Sequence, residues 1–143
     1  MIMGGSRIAI RISSYAPDNM AIKLIECDKQ KSHKLAEYMN DIIIIQGDGR
    51  NVDLLKEEGI RDMDAFIALT DSSETNILAC LTAKELGVKK TIAEVENIQF
   101  ISTAERLNIG NIINKKLLAA SRIFQLLLDE DSSNAKCLAL SDA

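Results

Sequence analysis

The chain has no tryptophan, one proline, one histidine and three cysteines in 143 residues. A lone histidine, His33, between Ser32 and Lys34 on a polar stretch, leaves a histidine-based triad or a Cys/His zinc site without its residues. Cys27, Cys80 and Cys137 are odd in number and widely spaced, so no CxxC redox pair exists. We expect no catalytic residues and no metal site. Five aromatics offer little for base stacking, and 17 basic against 21 acidic residues give a net charge of −4, which argues against a nucleic-acid partner. The longest apolar runs, 65–69 and 77–81, fall far short of the ~20 residues that span a bilayer, so no direct membrane insertion is expected. Met1-Ile2-Met3-Gly4-Gly5 lacks the basic region and the apolar stretch of about 7–15 residues that mark a signal peptide, which points to a cytoplasmic setting.

What the chain does contain is aliphatic. Twenty isoleucines and 16 leucines bring the hydrophobic share to 47%, enough for one core at the usual domain size of roughly 100–150 residues. Short β-branched runs alternate with longer amphipathic segments. Strands are predicted at 1–3, 21–25, 42–45, 65–69 and 91–95, with a short sixth at 111–113. Helices are predicted at 6–14, 29–40, 52–58, from Asp71 to Leu86, 99–107 and 115–129. The four consecutive isoleucines at 42–45 suggest a strand buried on both faces. Asp71-Ser72-Ser73-Glu74 has a capping-box pattern, with Asp71 as the N-cap. Strand–helix alternation specifies βαβ units, hence a doubly wound parallel α/β sheet, Rossmann-like, of order 3-2-1-4-5 with the sixth strand beyond the fifth. The domain is expected over 1–129, with 130–143 a tail or the start of a linker; a chain that begins inside a strand also suggests a piece of a longer protein.

In such a sheet a crevice opens at the carboxyl ends of the strands where the order reverses, and four loops converge there. Gly4-Gly5-Ser6-Arg7-Ile8-Ala9 stands in the place of the dinucleotide fingerprint G-x-G-x-x-G/A, with Ser6 at the second glycine and Ala9 at the third. Gly4 and Gly5 would form the turn that brings phosphate to the N-terminus of the first helix, and Ser6 would either crowd the phosphate or donate a hydroxyl to it. Twenty-two residues after Gly4, Glu26 stands where the fingerprint expects an acid for the ribose hydroxyls, which disfavours a 2′-phosphate. Asp28 either reaches the same ribose or starts the next helix. Asp48 either meets adenosine or serves the Gly-Asp-Gly turn. Thr70 and Asp71 lie across the crevice and are candidates for the far ribose or phosphate, with helix capping as the plainer role for Asp71.

Beyond the glycine turn, Lys23-Leu24-Ile25-Glu26, Gly47-Asp48-Gly49, Asp64-Ala65-Phe66-Ile67-Ala68-Leu69-Thr70, Glu74-Thr75-Asn76, Ala83-Lys84, Leu86-Gly87-Val88 and Thr91-Ile92-Ala93 follow in order. Together these motifs resemble the TrkA-N, or regulator-of-potassium-conductance (RCK/KTN), domain over residues 1 to about 128. The resemblance implies a Rossmann-like module that sits at the cytoplasmic face of the membrane on a potassium transporter or channel subunit. It would bind NAD(H), ATP, ADP or AMP as a regulatory ligand and would not be an enzyme. Carried over, Gly4, Gly5, Ser6 and Arg7 match the phosphate loop, Glu26 the ribose acid, Asp48 the adenosine side, and Thr70 and Asp71 the loop across the crevice. In the peripheral TrkA subunit two such halves occur in tandem, and this chain looks like one of them. Ser6, Ala9 and Glu94 depart from the family pattern; Glu94 stands where Arg or Lys is common and would repel a phosphate.

Three functions compete on these residues: a nucleotide-sensing regulator of potassium uptake, a degenerate assembly half without nucleotide, and a dehydrogenase fragment, for which the chain offers no proton-transfer residue. The apolar residues of 115–129 cover more of that helix than one core-facing stripe requires, so this helix is expected to form a homodimer or to meet a tandem-half partner.

Overall fold

A computed structural model describes residues 1–129. Met1–Ile113 form one compact unit, and the chain from Asn114 onward belongs to a second. In the first unit the strands are β1 (Ile2–Met3), β2 (Lys23–Glu26), β3 (Ile43–Gln46), β4 (Ala65–Ala68), β5 (Lys90–Glu94) and β6 (Asn111–Ile113). The helices are α1 (Arg7–Tyr15), α2 (Lys29–Tyr38), α3 (Val52–Glu57), α4 (Ser73–Glu85) and α5 (Ile98–Arg106), with a 3-10 turn at Ile60–Asp62. The sheet is parallel throughout and ordered β3-β2-β1-β4-β5-β6, as the alternation predicts.

Two apolar layers flank this sheet, and the strands feed them by alternation, since successive side chains on a strand point to opposite faces. Ile2, Leu24 and Ile67 pack with Ala9 of α1 and Leu35 of α2. Met3, Ile25, Phe66 and Ala68 pack with Leu55 of α3, Cys80 of α4 and Ala104 of α5. The sheet is therefore covered on both faces, and the order reverses between β1 and β4. Phe66, Leu24 and Leu35 are at most 1% exposed; burying side chains of this size stabilises the fold by about 1.5–3 kcal/mol each.

Local differences from the sequence reading have physical reasons. β3 is not buried on both faces: it is the sheet edge, and Ile43 is 56% exposed. β-Branched composition marks a strand but not its place in the sheet. Asn51 caps α3, accepting from Asp53 N–H at 3.0 Å and Leu54 N–H at 3.3 Å.

The second unit shows one described helix, α6 (Lys115–Asp129). Asn114 opens it, its Oδ1 accepting Leu117 N–H at 3.0 Å. Leu117, Leu118, Ile123, Phe124, Leu126 and Leu127 lie around the helix, and a single helix has nothing of its own to bury them against. Residues 130–143, including Cys137 and the expected tail, lie outside the described residues.

Candidate functional site

At the β1/β4 reversal the four loops enclose a crevice of about 310 Å³. Seven of the nine residues singled out from the sequence line it: Gly4, Gly5, Ser6, Glu26, Asp48, Thr70 and Asp71. The other two do not. Arg7 lines a shallow apolar groove along α1 with Ile8, Arg11 and Tyr15, because one step past the cap the helix has already turned its side chain away. Asp28 is the N-cap of α2 and accepts Lys31 N–H at 2.8 Å. Glu94, buried at the end of β5, does not line the crevice either.

The floor is built by backbone contact. Gly4 adopts φ +98°, and a Cβ there would fall 2.9 Å from the Leu69 carbonyl, so only glycine lets the β1 loop lie against the end of β4. A Cβ on Gly5 would lie 2.6 Å from Leu35 Cδ1 and 2.8 Å from Glu26 Oε2. Ser6 is the N-cap of α1: its Oγ accepts Ala9 N–H at 3.3 Å. The serine in place of the second glycine thus ends the loop by capping, while the N–H groups ahead of Ala9 keep the free character of any helix start.

Glu26 is the best-held side chain of the crevice. Its Oε2 accepts Gly5 N–H at 2.7 Å, and its Oε1 accepts Asp28 N–H at 3.0 Å and the Cys27 thiol at 3.7 Å. Lys31 Nζ stands 3.8 Å from Oε2. The acid at the end of β2 therefore ties the phosphate-type loop to the β2–α2 loop, and only its remaining lone pairs face a ligand.

Asp48 is gripped in a fork by Arg50: Nη2 donates to Oδ2 at 2.8 Å and Nε to Oδ1 at 3.0 Å. These bonds hold the Asp48 carboxyl below its ordinary range and raise the Arg50 guanidinium.

Across the crevice the capping differs from expectation. Ser72, not Asp71, is the N-cap of α4, its Oγ accepting Thr75 N–H at 3.1 Å. Four candidate oxygens stood in a row there, and the sequence pattern could not tell which of them the chain direction would select. Asp71 is left exposed at the lip. The Thr70 hydroxyl donates to Asn76 Oδ1 at 2.6 Å. Asn76, 1% exposed, also accepts Thr70 N–H at 3.0 Å and donates to the carbonyls of Thr70 at 3.0 Å and Glu94 at 2.8 Å. Only this amide orientation serves one N–H and two carbonyls together.

Sequence reasoning missed Lys31, Arg50 and Asn76 as parts of the site. Lys31 follows Asp28 by one helical turn, a spacing that signals it; Asn76 acts from behind the lining, holding Thr70 six residues back and the Glu94 carbonyl of β5 18 residues on.

A family model described as the TrkA-N domain matches residues 1–115. The chain is 33% identical over 111 residues to Trk system potassium uptake protein trkA homolog 1 of Methanosarcina mazei, covering 78% of this chain and 27% of that one. It is 35% identical over 105 residues to Trk system potassium uptake protein TrkA of Vibrio alginolyticus, with 73% and 23% covered. The chain thus spans about a quarter of the length of these curated relatives. Among solved structures, the TrkA-N domain of inner membrane protein ybaL from Escherichia coli superposes with a TM-score of 0.73 at 11% identity, covering 88% of this chain and 93% of that one. The GsuK channel bound to NAD superposes at 0.69 and 17% identity, covering 87% and 22%, and the same protein was also solved bound to ADP. The fold extends to enzymes: an NAD(H)-bound scyllo-inositol dehydrogenase from Lactobacillus casei superposes at 0.60 and 14% identity, covering 93% and 41%. The family is decided by sequence, because the match runs from the β1 glycines through β6 and into the start of α6. On that match, and with the strand order and glycine loop that accompany it, the chain belongs to the TrkA-N family, on a Rossmann-like fold.

Proposed function

We propose that this chain is a regulatory nucleotide-binding module of a potassium-uptake system. NAD(H) or an adenine nucleotide occupies the crevice and shifts a conformational equilibrium that a membrane transporter subunit reads. The observation that carries this reading is the convergence of Gly4-Gly5-Ser6 at the start of α1 with Glu26 and Asp48, all lining one crevice at the topological switch point. GsuK, on the same fold, binds NAD and ADP. The role is regulatory: the crevice lining includes no histidine, and its carboxylates, Asp71 apart, are committed to backbone N–H groups or to Arg50, a set suited to holding a ligand rather than moving its protons. The module works at the cytoplasmic face, and α6 joins it to a second copy or to a tandem half. No described helix is long and apolar enough to cross a membrane.

Titration calorimetry with NADH, NAD, ATP and ADP tests this. Saturable binding that Asp48→Asn and Glu26→Ala weaken supports it. A second reading, an assembly half without nucleotide, is favoured by one observation: Ser6 Oγ and Glu26 Oε2 already take the Ala9 and Gly5 N–H groups of the loop. Absence of heat with every nucleotide at millimolar concentration selects it.

A further inference from the structure

The crevice lining carries three acids, Glu26, Asp48 and Asp71, against two bases, Lys31 and Arg50. A nucleotide adds negative charge to this set, so some lining group must meet it. Arg50 is held in a fork on the Asp48 carboxylate, which pairs its charge and turns Nε and Nη2 toward that acid. Lys31 is differently placed. Its Nζ stands 3.8 Å from Glu26 Oε2, beyond hydrogen-bond distance, and the oxygens of Glu26 are already served by Gly5 and Asp28 N–H. Its side chain is half exposed, and its Cε lies 3.6 Å from where a Cβ on Gly5 would stand. An ammonium with unspent donors therefore hangs over the glycine turn, beside the start of α1.

We infer that Lys31 is the phosphate-binding cation of this crevice, closing over the diphosphate group of a nucleotide laid on the Gly4-Gly5 turn. This rests on the nucleotide reading above and adds to it the residue that selects phosphate. The two partners complement each other: α1 offers backbone N–H groups from below, and Lys31 offers three donors on a flexible stem from above. Glu26 positions that stem through a loose ion pair at 3.8 Å, which leaves the N–H groups of the ammonium free to donate to a phosphate. Glu94 does not line the crevice and so does not face the phosphate there. The chain carries its phosphate-side cation on α2, facing the crevice, instead of on β5.

The test compares adenosine, ADP and NADH on wild-type protein, Lys31→Gln and Lys31→Arg by calorimetry at fixed salt. Replacing the ammonium by an amide should weaken ADP and NADH by about tenfold, the lower range for a charge-assisted bond at a half-exposed site, and leave adenosine within about twofold. Arginine should restore most of the loss. Equal ADP affinity in wild-type and Lys31→Gln protein would overturn the assignment while leaving the nucleotide site standing. So would an equal loss for adenosine and ADP, which would make Lys31 a shaper of the crevice and not a phosphate ligand. If wild-type protein binds none of the three, the nucleotide reading fails and takes this assignment with it. Thermal melting of each variant, expected within about 2 °C of wild type for an exposed lysine, confirms that binding is compared between folded proteins.

Discussion

Glutamine in place of Glu26 is nearly isosteric yet cannot do what the carboxylate does. The carboxylate accepts on both oxygens at once, Gly5 N–H on Oε2 and Asp28 N–H on Oε1. An amide has one acceptor, so whichever N–H it keeps, the other faces an NH₂ group with no acceptor. The side chain is 7% exposed, which limits rescue by water. Losing one charge-assisted hydrogen bond and stranding a mostly buried donor costs about 2–3 kcal/mol. The Lys31 pair adds little, since it is loose and half exposed. With a urea m-value of about 2 kcal/mol/M for a chain of this size, Glu26→Gln should lower the urea midpoint by about 1 M. Because the chain has no tryptophan, far-UV circular dichroism is the suitable signal, with protein concentration fixed and nucleotide removed so that binding and association do not enter. Lys31→Gln in parallel should move the midpoint by no more than about 0.3 M. A Glu26→Gln midpoint equal to wild type at unchanged slope would refute the idea that this carboxylate holds the two loops together.

Asn76→Asp should be more severe, costing about 3 kcal/mol or more, because a carboxylate oxygen would face the carbonyls of Thr70 and Glu94 that the amide now serves; a midpoint shift under about 0.5 M in urea would contradict that network. Cys80 is fully buried, and burial pushes its thiol up to about 12. In a Cys27→Ser/Cys137→Ser background it should resist alkylation at pH 8 on the native protein and react fully in urea, so rapid native labelling would show the core to be open. Arg50 should hold the Asp48 carboxyl below the usual aspartate range, and Arg50→Gln, which keeps the backbone N–H of residue 50 but loses the guanidinium, should raise it toward that range, read by carboxyl carbon resonances during an acid titration. The sign follows: with its folded pKa depressed, Asp48 favours the folded loop above the ordinary aspartate pKa, and this contribution fades as pH falls through the depressed value; identical titrations in both proteins would remove the fork. Phe124→Glu with Leu127→Glu should turn a self-associating protein into a folded monomer by sedimentation, whereas a wild type already monomeric at high micromolar concentration would count against α6 as an interface.

The sheet could be read from the chain because its signals are local and repeated. Each strand is a short, mostly aliphatic run of two to five residues closed by glycine or a polar turn, and each crossover is long enough for one helix, so the parallel order followed from handedness and alternation alone. The edge position of β3 could not be read the same way. Four isoleucines look alike whether a strand is central or peripheral, and only the tertiary arrangement leaves Ile43 without a cover.

The crevice divides along the same physical line. Its backbone half was visible in the sequence: Gly4 at φ +98° and Gly5 beneath Leu35 are positions where a side chain has no room, and glycine at such points announces itself. Its side-chain half was visible only as residue types. Glu26, Asp48 and Thr70 read as candidates to meet a ligand, with a turn role open for Asp48, yet each is first a structural acceptor or donor, for Gly5 and Asp28, for Arg50, and for Asn76. Those partners lie from 2 to 21 residues away, and a hydrogen bond across loops leaves no periodic trace in a chain. A polar residue at a strand end therefore reads as a binding group whether its lone pairs are spent or spare. Counting the spent ones moves the search to residues whose donors remain unspent, and in this crevice that passes from the acids marked by the fingerprint to Lys31 above the glycine turn.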